Sequence, residues 1–296
     1  MSDTTALIVG GAAVDAGVGP TVVDLARRTR TGVLNTWRAK GLFRFDDPAH
    51  LGTIGLQRDD LVLAGVAGER RAVDRVVVCG VADGELPSGL AGGLPADVET
   101  IAPDQLGSLE LERSEAWPQR PPLYDALAAV CGPAYGADDV PLSPIRAVGD
   151  LAAWLPEGAV VVAGAGEPGF WLGRAFPTRA PRTVLLPPRP DPSFGTSATR
   201  TTGGGVVVVC GPDDEPPVVD RAGSVGSVAA EWVVVERWHP DGPALTPSVR
   251  LERLGAAVAA GGGEVEVAVA LGDLGAVEGV AGPVVVWGGP AAGWRG

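Results

Sequence analysis

Residues 31–87 read TGVLNTWRAKGLFRFDDPAHLGTIGLQRDDLVLAGVAGERRAVDRVVVCGVADGELP. Gly32 to Thr36 and Arg75 to Cys79 are short runs rich in apolar, β-branched residues, the pattern of strands buried on both faces. Between them, Arg58 to Ala67 reads as a helix with Asp59 and Asp60 at exposed positions. Upstream, Ala6 to Gly11 (ALIVGG) is another apolar strand ending in glycine. Val18 to Arg30 then sets Val22, Val23, Leu25 and Ala26 against Asp24, Arg27, Arg28 and Arg30, as an amphipathic helix does. Strand, glycine turn, helix, strand, helix, strand is the alternation of a doubly wound parallel sheet.

The same stretch holds rare residue types: the chain's sole Asn (Asn35), its sole Lys (Lys40) and one of its two His (His50). The unperturbed pKa of a histidine suits a proton shuttle or a ligand. No second His, Cys or carboxylate stands at ligand spacing, so His50 reads as a loop or interface histidine, and Asn35 and Lys40 as turn and packing residues. The glycine turn GGAAVDAGVG, Gly10 to Gly19, could cradle a phosphate through backbone N–H groups. It lacks a clean GxGxxG and reads first as a strand-to-helix turn that needs small residues.

A chain of 296 residues with 46% hydrophobic and 20% charged side chains buries a real core and exceeds the usual single-domain size. The 44 glycines and 27 prolines call for many short elements and tight turns. A net charge of −13 excludes a sequence-independent nucleic-acid binder, whose affinity rests on clustered Lys and Arg. Cys79, Cys131 and Cys210 form no CxxC pair and read as buried thiols in a reducing compartment. No run approaches the roughly 18 apolar residues of a spanning helix, so a cytoplasmic protein with neither membrane nor nucleic-acid partners is expected.

From Leu86 to about Pro122 the sequence turns Gly-, Pro- and acid-rich, and a short helix is expected at Leu123 to Val130. This divides the chain into a first α/β domain over 1–113, a linker over 114–140 and a second α/β domain over 141–296. Ser143 and Pro144 open SPIRAVGDLAAWLP as N-cap and first helical residue. Ala159 to Gly164, Val206 to Gly211 and Trp232 to Val235 read as buried strands. Leu245 to Ala260 reads as a helix, Glu264 to Ala270 as a strand, and Pro283 to Trp287 as a last apolar strand.

GVLNTWRAKGLFRFDDPAHLGTIGLQ resembles the central domain of thiamine-diphosphate-dependent enzymes of the acetolactate synthase and benzoylformate decarboxylase kind. The residues that carry the resemblance are Lys40, Gly41, Pro48, Leu51, Gly52, Gly55, Asp74, Val76 to Val78 and Gly80. The segment GEPGFWLGRAFPTRAPRTVLLPP is similar to the pyrophosphate-binding domain of the same enzymes, through Gly164, Gly166, Gly169, Phe170, Trp171, Arg174 and Pro177. The resemblance implies two doubly wound domains, a Rossmann-like central one and a reduced thiamine-diphosphate-binding one. It implies thiamine diphosphate and Mg²⁺ as ancestral cofactors, with FAD on the central domain of some relatives.

In catalytic relatives a strand of the form VVxVxGDG is followed, past the next apolar strand, by an Asn, and the motif Asp and this Asn hold Mg²⁺. Val206 to Gly211 matches the strand, but Gly211, Pro212 and Asp213 stand where GDG is expected, and the Asn position falls on Glu236 or Arg237. Pro212 removes a donor and fixes φ at that turn. Asn35 being the sole asparagine, no shift of register restores the ligand. The resemblance also places the ring-activating Glu on a pyrimidine-binding domain with no counterpart in this sequence.

Gly164, Gly166, Gly211, Asp213 and Asp214 are therefore the residues of a vestigial cofactor site, and no catalytic residue is assigned. If the site is rescued, Asp213, Asp214 and Glu236 are the carboxylates able to ligate the metal. Trp238 and His239, in ERWHPDG, read as an ordinary surface turn. The expected function is a noncatalytic relative that acts as scaffold, regulatory subunit or binder of another ligand. One alternative is a subunit of a split Mg–thiamine-diphosphate-dependent 2-oxoacid lyase or decarboxylase; another is an FAD or nucleotide module. Self-association, or association with a larger relative or a separate domain, is the expected assembly.

Overall fold

The computed structural model describes residues 4–69, 72–86, 97–187, 204–212, 214 and 230–290. Two compact units emerge. The first takes residues up to 129 together with Gly275–Gly288, and the second takes 130–274.

In the first unit, strand β1 (Thr5–Val9) leads through the short helix α1 (Gly11–Asp15) and α2 (Gly19–Thr29) to β2 (Gly32–Thr36). β3 (His50–Ile54), the single turn α3 (Asp60–Leu63), β4 (Arg75–Cys79) and β5 (Asp97–Ile101) follow. All five strands run parallel in the order β3-β2-β1-β4-β5. Alternate residues of each strand serve opposite faces. Leu7, Val9, Val33 and Val77 pack with Val22, Leu25 and Ala26 of α2, while Ala6, Ile8, Leu34 and Val76 pack with Leu61 and Ala64.

Helix α4 (Pro122–Ala134) carries the chain across the boundary between the units. The second unit contains α5 (Pro144–Trp154), β6 (Val160–Ala163), α6 (Glu167–Ala175), β7 (Val184–Leu185), β8 (Val206–Cys210) and β9 (Val233–His239). α7 (Pro247–Ala259) and β10 (Gly262–Ala268) close it, with strand order β10-β9-β8-β6-β7, again all parallel. Ser143 caps α5 as its sequence predicts: its hydroxyl accepts the Arg146 N–H at 3.0 Å.

Several expectations are corrected. The supposed loop around His50 is strand β3, hidden from pattern reading by Gly52, whose φ of 138° no Cβ-bearing residue adopts readily. β5 escaped because it is an edge strand with little buried surface. The helix expected over Arg58 to Ala67 shrinks to α3, and Asp60 is buried because its carboxylate caps the Leu56 and Gln57 N–H groups at 2.9 and 3.0 Å.

Within the linker expected over 114–140, the short helix expected at Leu123 to Val130 extends over Pro122–Ala134, and residues 275–288 pack with the first unit. They do so because Gln57 donates to the carbonyls of Val277 (2.9 Å) and Gly282 (2.7 Å), and Arg58 N–H to that of Pro283 (3.0 Å). Instead of a last strand at Pro283 to Trp287, Val284 forms one antiparallel bridge to Gln57 and Val286–Gly288 is a 3₁₀ turn. Helix α8 (Gly275–Ala281) precedes it.

The neighbouring strands β1 and β4 of the first sheet are followed by glycines, Gly10 and Gly80, that touch. A Cβ at Gly10 would lie 2.3 Å from the Gly80 carbonyl oxygen and 2.4 Å from Val81 Cα, both backbone atoms unable to yield cheaply. Gly10→Ala should therefore cost about 1–3 kcal/mol or more by overpacking. Gly107→Ala, where the added methyl would meet nothing within 4 Å, should be nearly neutral. Chemical denaturation of both variants checks the contrast.

Candidate functional site

In the second unit the strand order reverses between β6 and β8, because β6 connects outward to β7 while the chain then crosses to β8 on the other side. Ligands of open α/β sheets bind outside the carboxyl ends of the strands at such a reversal. Gly164 follows β6 and Gly211 follows β8, and the carboxylate of Asp214 lies over both. Its Oδ2 accepts the Gly211 N–H at 2.6 Å, and a Cβ added to either glycine would sit 3.4 Å from the same oxygen.

Gly166 belongs to the adjoining turn into α6, with φ of 134°. The first helical residue, Glu167, is buried and turns its carboxylate to the N–H of Gly272 at 2.8 and 2.9 Å and to Trp171 Nε1 at 3.1 Å. Four of the five residues expected at the cofactor site are thus at one sheet edge; the fifth, Asp213, lies outside the described residues.

The residue that sequence reasoning missed is Arg237, considered there as no more than an occupant of the Asn position. It stands opposite Cys210 in the β8–β9 register. Its Nη1 donates to the carbonyl oxygens of Gly211 (3.2 Å), Pro212 (3.4 Å) and Asp214 (3.1 Å), and its Nε to Glu264 Oε1 at 3.0 Å. One guanidinium therefore gathers the carbonyls of the turn. The signal was a cation set two residues after the valine run Val233–Val235.

Glu236 faces the other way, since neighbours on a strand point to opposite sides of the sheet. It is fully buried and makes a bidentate pair with the equally buried Arg250 of α7: Nη2 donates to Oε2 at 2.9 Å and Nε to Oε1. Asp150 stands 3.9 Å from Arg250 Nη1 on its far side. Grouping Glu236 with Asp214 as metal ligands is corrected by this alternation, because Arg237 alone of the two can face the turn.

Mg²⁺ requires oxygen donors in near-ideal octahedral array and keeps diphosphate oxygens among them. Here the turn's carbonyls are held by Arg237, the Asp214 carboxylate occupies the N–H that a phosphate would use, and Glu236 is spent on Arg250. Among the described residues, the groups at this turn are therefore engaged with one another and are not set out as an octahedral oxygen array for a Mg²⁺–diphosphate pair. Cys210 is no substitute nucleophile: burial, with the nearby Asp214 charge, pushes its thiol up to about 12.

In the first unit His50 is buried and joins a continuous hydrogen-bonded chain. Asn35 donates from Nδ2 to the Thr36 carbonyl (3.0 Å) and to Thr53 Oγ1 (3.1 Å), which leaves its Oδ1 to accept from His50 Nε2 at 2.7 Å. His50 Nδ1 then accepts the Tyr124 hydroxyl at 2.8 Å. The ring is locked as the neutral tautomer, and burial, reinforced by the Lys40 charge, lowers its pKa to about 3. Burial also raises the Tyr124 hydroxyl. The rare residues thus join β2, β3 and α4 rather than building a proton shuttle.

Trp238 and His239 are corrected too. Both belong to β9, and Trp238 is fully buried; His239 Nδ1 accepts the Asp241 N–H at 2.9 Å.

Two successive all-parallel α/β units of this order define the fold class. The same architecture is found in a structure described as a thiamin diphosphate-dependent enzyme from Mycobacterium smegmatis, with a TM-score of 0.60 at 15% identity, over 90% of this chain and 62% of that one. In sequence, a Methanocaldococcus jannaschii protein described as an acetolactate synthase large subunit is 24% identical over 215 residues, 62% of this chain. The chain is thereby related to the thiamine-diphosphate-dependent enzymes of the acetolactate synthase kind. It spans 36% of the length of that curated relative, and no family model matches it. No helix among the described residues is long and apolar enough to cross a membrane.

Two outcomes test this geometry. Arg250→Met strands a buried carboxylate and should cost about 3–5 kcal/mol, whereas adding Glu236→Leu should restore most of the loss; denaturation midpoints of the single and double variants decide. For His50 the native ring refuses a proton that the unfolded chain accepts below its ordinary pKa of 6.5. Its stabilising contribution is therefore present above that pH and lost progressively as pH falls toward about 3. Stability measured against pH should fall less steeply across this window in His50→Gln than in the wild type.

Proposed function

We propose that this protein is a noncatalytic relative of the thiamine-diphosphate-dependent enzymes, serving as a scaffold or regulatory subunit or holding a ligand other than Mg²⁺–thiamine diphosphate. The observation that carries the reading is the turn after β8, where Asp214 takes the Gly211 N–H and Arg237 takes three carbonyl oxygens. A diphosphate brought there would meet a carboxylate, and a divalent cation would meet a guanidinium. Both encounters are between like charges, which costs most where water is excluded.

A second reading is supported by the sequence relationship to an acetolactate synthase large subunit over 215 residues. In it the chain is one subunit of a split 2-oxoacid lyase or decarboxylase, with Asp213 and Asp214 as metal ligands and a partner bringing the ring-activating Glu. In either reading the chain assembles with itself, with a larger relative or with a separate domain. Cytoplasmic residence fits its three cysteines, which are free and buried and whose thiols burial pushes up.

Calorimetric titration of the purified chain with Mg²⁺ and thiamine diphosphate separates the readings. The first predicts no saturable heat; binding in the micromolar range overturns it. Recovery of a partner with a pyrimidine-binding domain from the native cell, together with such binding, establishes the second.

A further inference from the structure

The first sheet reverses its order between β1 and β4, and this reversal too is occupied by a carboxylate of the chain. Glu85 lies six residues beyond β4 with 1% of its surface exposed. Its Oε2 accepts the Gly11 N–H at 2.9 Å and the Thr36 hydroxyl, and its Oε1 accepts Arg38 Nη1 at 3.2 Å and the Ala82 N–H at 3.2 Å. A turn closed for its own sake would need only Ala82. The other three donors lie 74, 49 and 47 residues away in sequence, at the ends of β1 and β2.

The fold makes room for this carboxylate. A Cβ at Gly55 would come within 2.1 Å of the Glu85 carbonyl oxygen, and one at Gly10 within 2.4 Å of Val81 Cα, so both glycines let the Val81–Glu85 segment settle against the strand ends. Backbone N–H, hydroxyl and guanidinium converging on one point form the donor set that recognises a phosphate group. The Gly10–Gly19 turn was open, from sequence, to a flavin or nucleotide phosphate; its Gly11 N–H is already given to Glu85. Asp214 on Gly211 repeats the arrangement at the reversal of the second sheet.

We propose that Glu85 is a tethered anion filling a phosphate-type cradle in the first unit, an autoinhibitory contact that keeps external phosphate groups out. The inference concerns a different unit and a different ligand from the reading above, and stands or falls separately. Removing the carboxylate leaves Gly11, Thr36, Arg38 and Ala82 aimed at a vacated space, with Arg38 still held by Asp15 at 2.8 Å through its Nη2, and an oxyanion of phosphate class would enter it.

The test is titration of the full chain with inorganic pyrophosphate, without metal and at matched ionic strength, read by calorimetry and thermal unfolding. Wild type should show neither heat nor a shift in Tm. Glu85→Ala should melt lower and recover with pyrophosphate, binding it at least about tenfold more tightly than wild type. Adding Arg38→Ala should abolish that binding. Equal binding by wild type and Glu85→Ala, a folded Glu85→Ala that takes up no pyrophosphate, or binding that survives Arg38→Ala overturns the proposal. If Glu85→Ala does not fold alone, refolding it with pyrophosphate decides: recovery of the folded chain that the added Arg38→Ala cancels supports the proposal, and no recovery, or recovery that survives Arg38→Ala, overturns it.

Discussion

A carboxylate seated on a strand-end glycine N–H is the interaction on which the reading of this molecule depends. Parallel strands leave unpaired N–H groups at their carboxyl ends, and those groups converge where the strand order reverses. In related folds the demand is met by a phosphate; here Glu85 meets it at Gly11 and Asp214 at Gly211. Gly10 is required by the architecture whatever fills the crevice, since a methyl there would run into the adjoining backbone, whereas at Gly164 and Gly211 an added Cβ would meet first the Asp214 carboxylate, at 3.4 Å. A glycine at a strand end therefore marks packing in the first unit, and the identity of the anion marks function.

Arg237 completes this logic. A guanidinium bonded to the Gly211, Pro212 and Asp214 carbonyls supplies positive charge and fixed direction without a metal, and it is covalently part of β9. Glu236, one residue earlier, shows how strictly the pleat enforces such roles. It points into the opposite layer, where Arg250 neutralises it in a pair whose value lies in its completeness, because either partner alone would be a buried, uncompensated charge.

Much of the fold was legible in the sequence, because parallel strands buried on both faces announce themselves as valine-rich runs: Gly32–Thr36 and Arg75–Cys79 appear as read. Elements without that signature were missed. β3 contains Gly52 and His50, and the outward-facing β5 carries Asp97 and Glu99. The site was half legible. Gly164, Gly211 and Asp214 could be grouped through the resemblance to the pyrophosphate-binding domain, and the structure sets them at the carboxyl ends of β6 and β8. The importance of Arg237 and Glu85 could not, since it depends on which of many charged residues the tertiary structure turns inward over separations that pattern reading does not span. Asn35 and His50 were conspicuous by rarity, and burial shows why rarity misleads: their hydrogen bonds are made among β2, β3 and Tyr124 of α4.

The central claim is that the crevice of the second unit is closed by its own ions. Electron paramagnetic resonance of Mn²⁺, used in place of Mg²⁺, addresses it most directly, because the free aquo ion gives a sharp signal that protein binding removes. With the full chain and thiamine diphosphate in excess, the account predicts that the signal equals that of Mn²⁺ with thiamine diphosphate alone. A saturable loss of signal on adding the protein, retained in Glu85→Ala and abolished in Asp214→Asn, would contradict it.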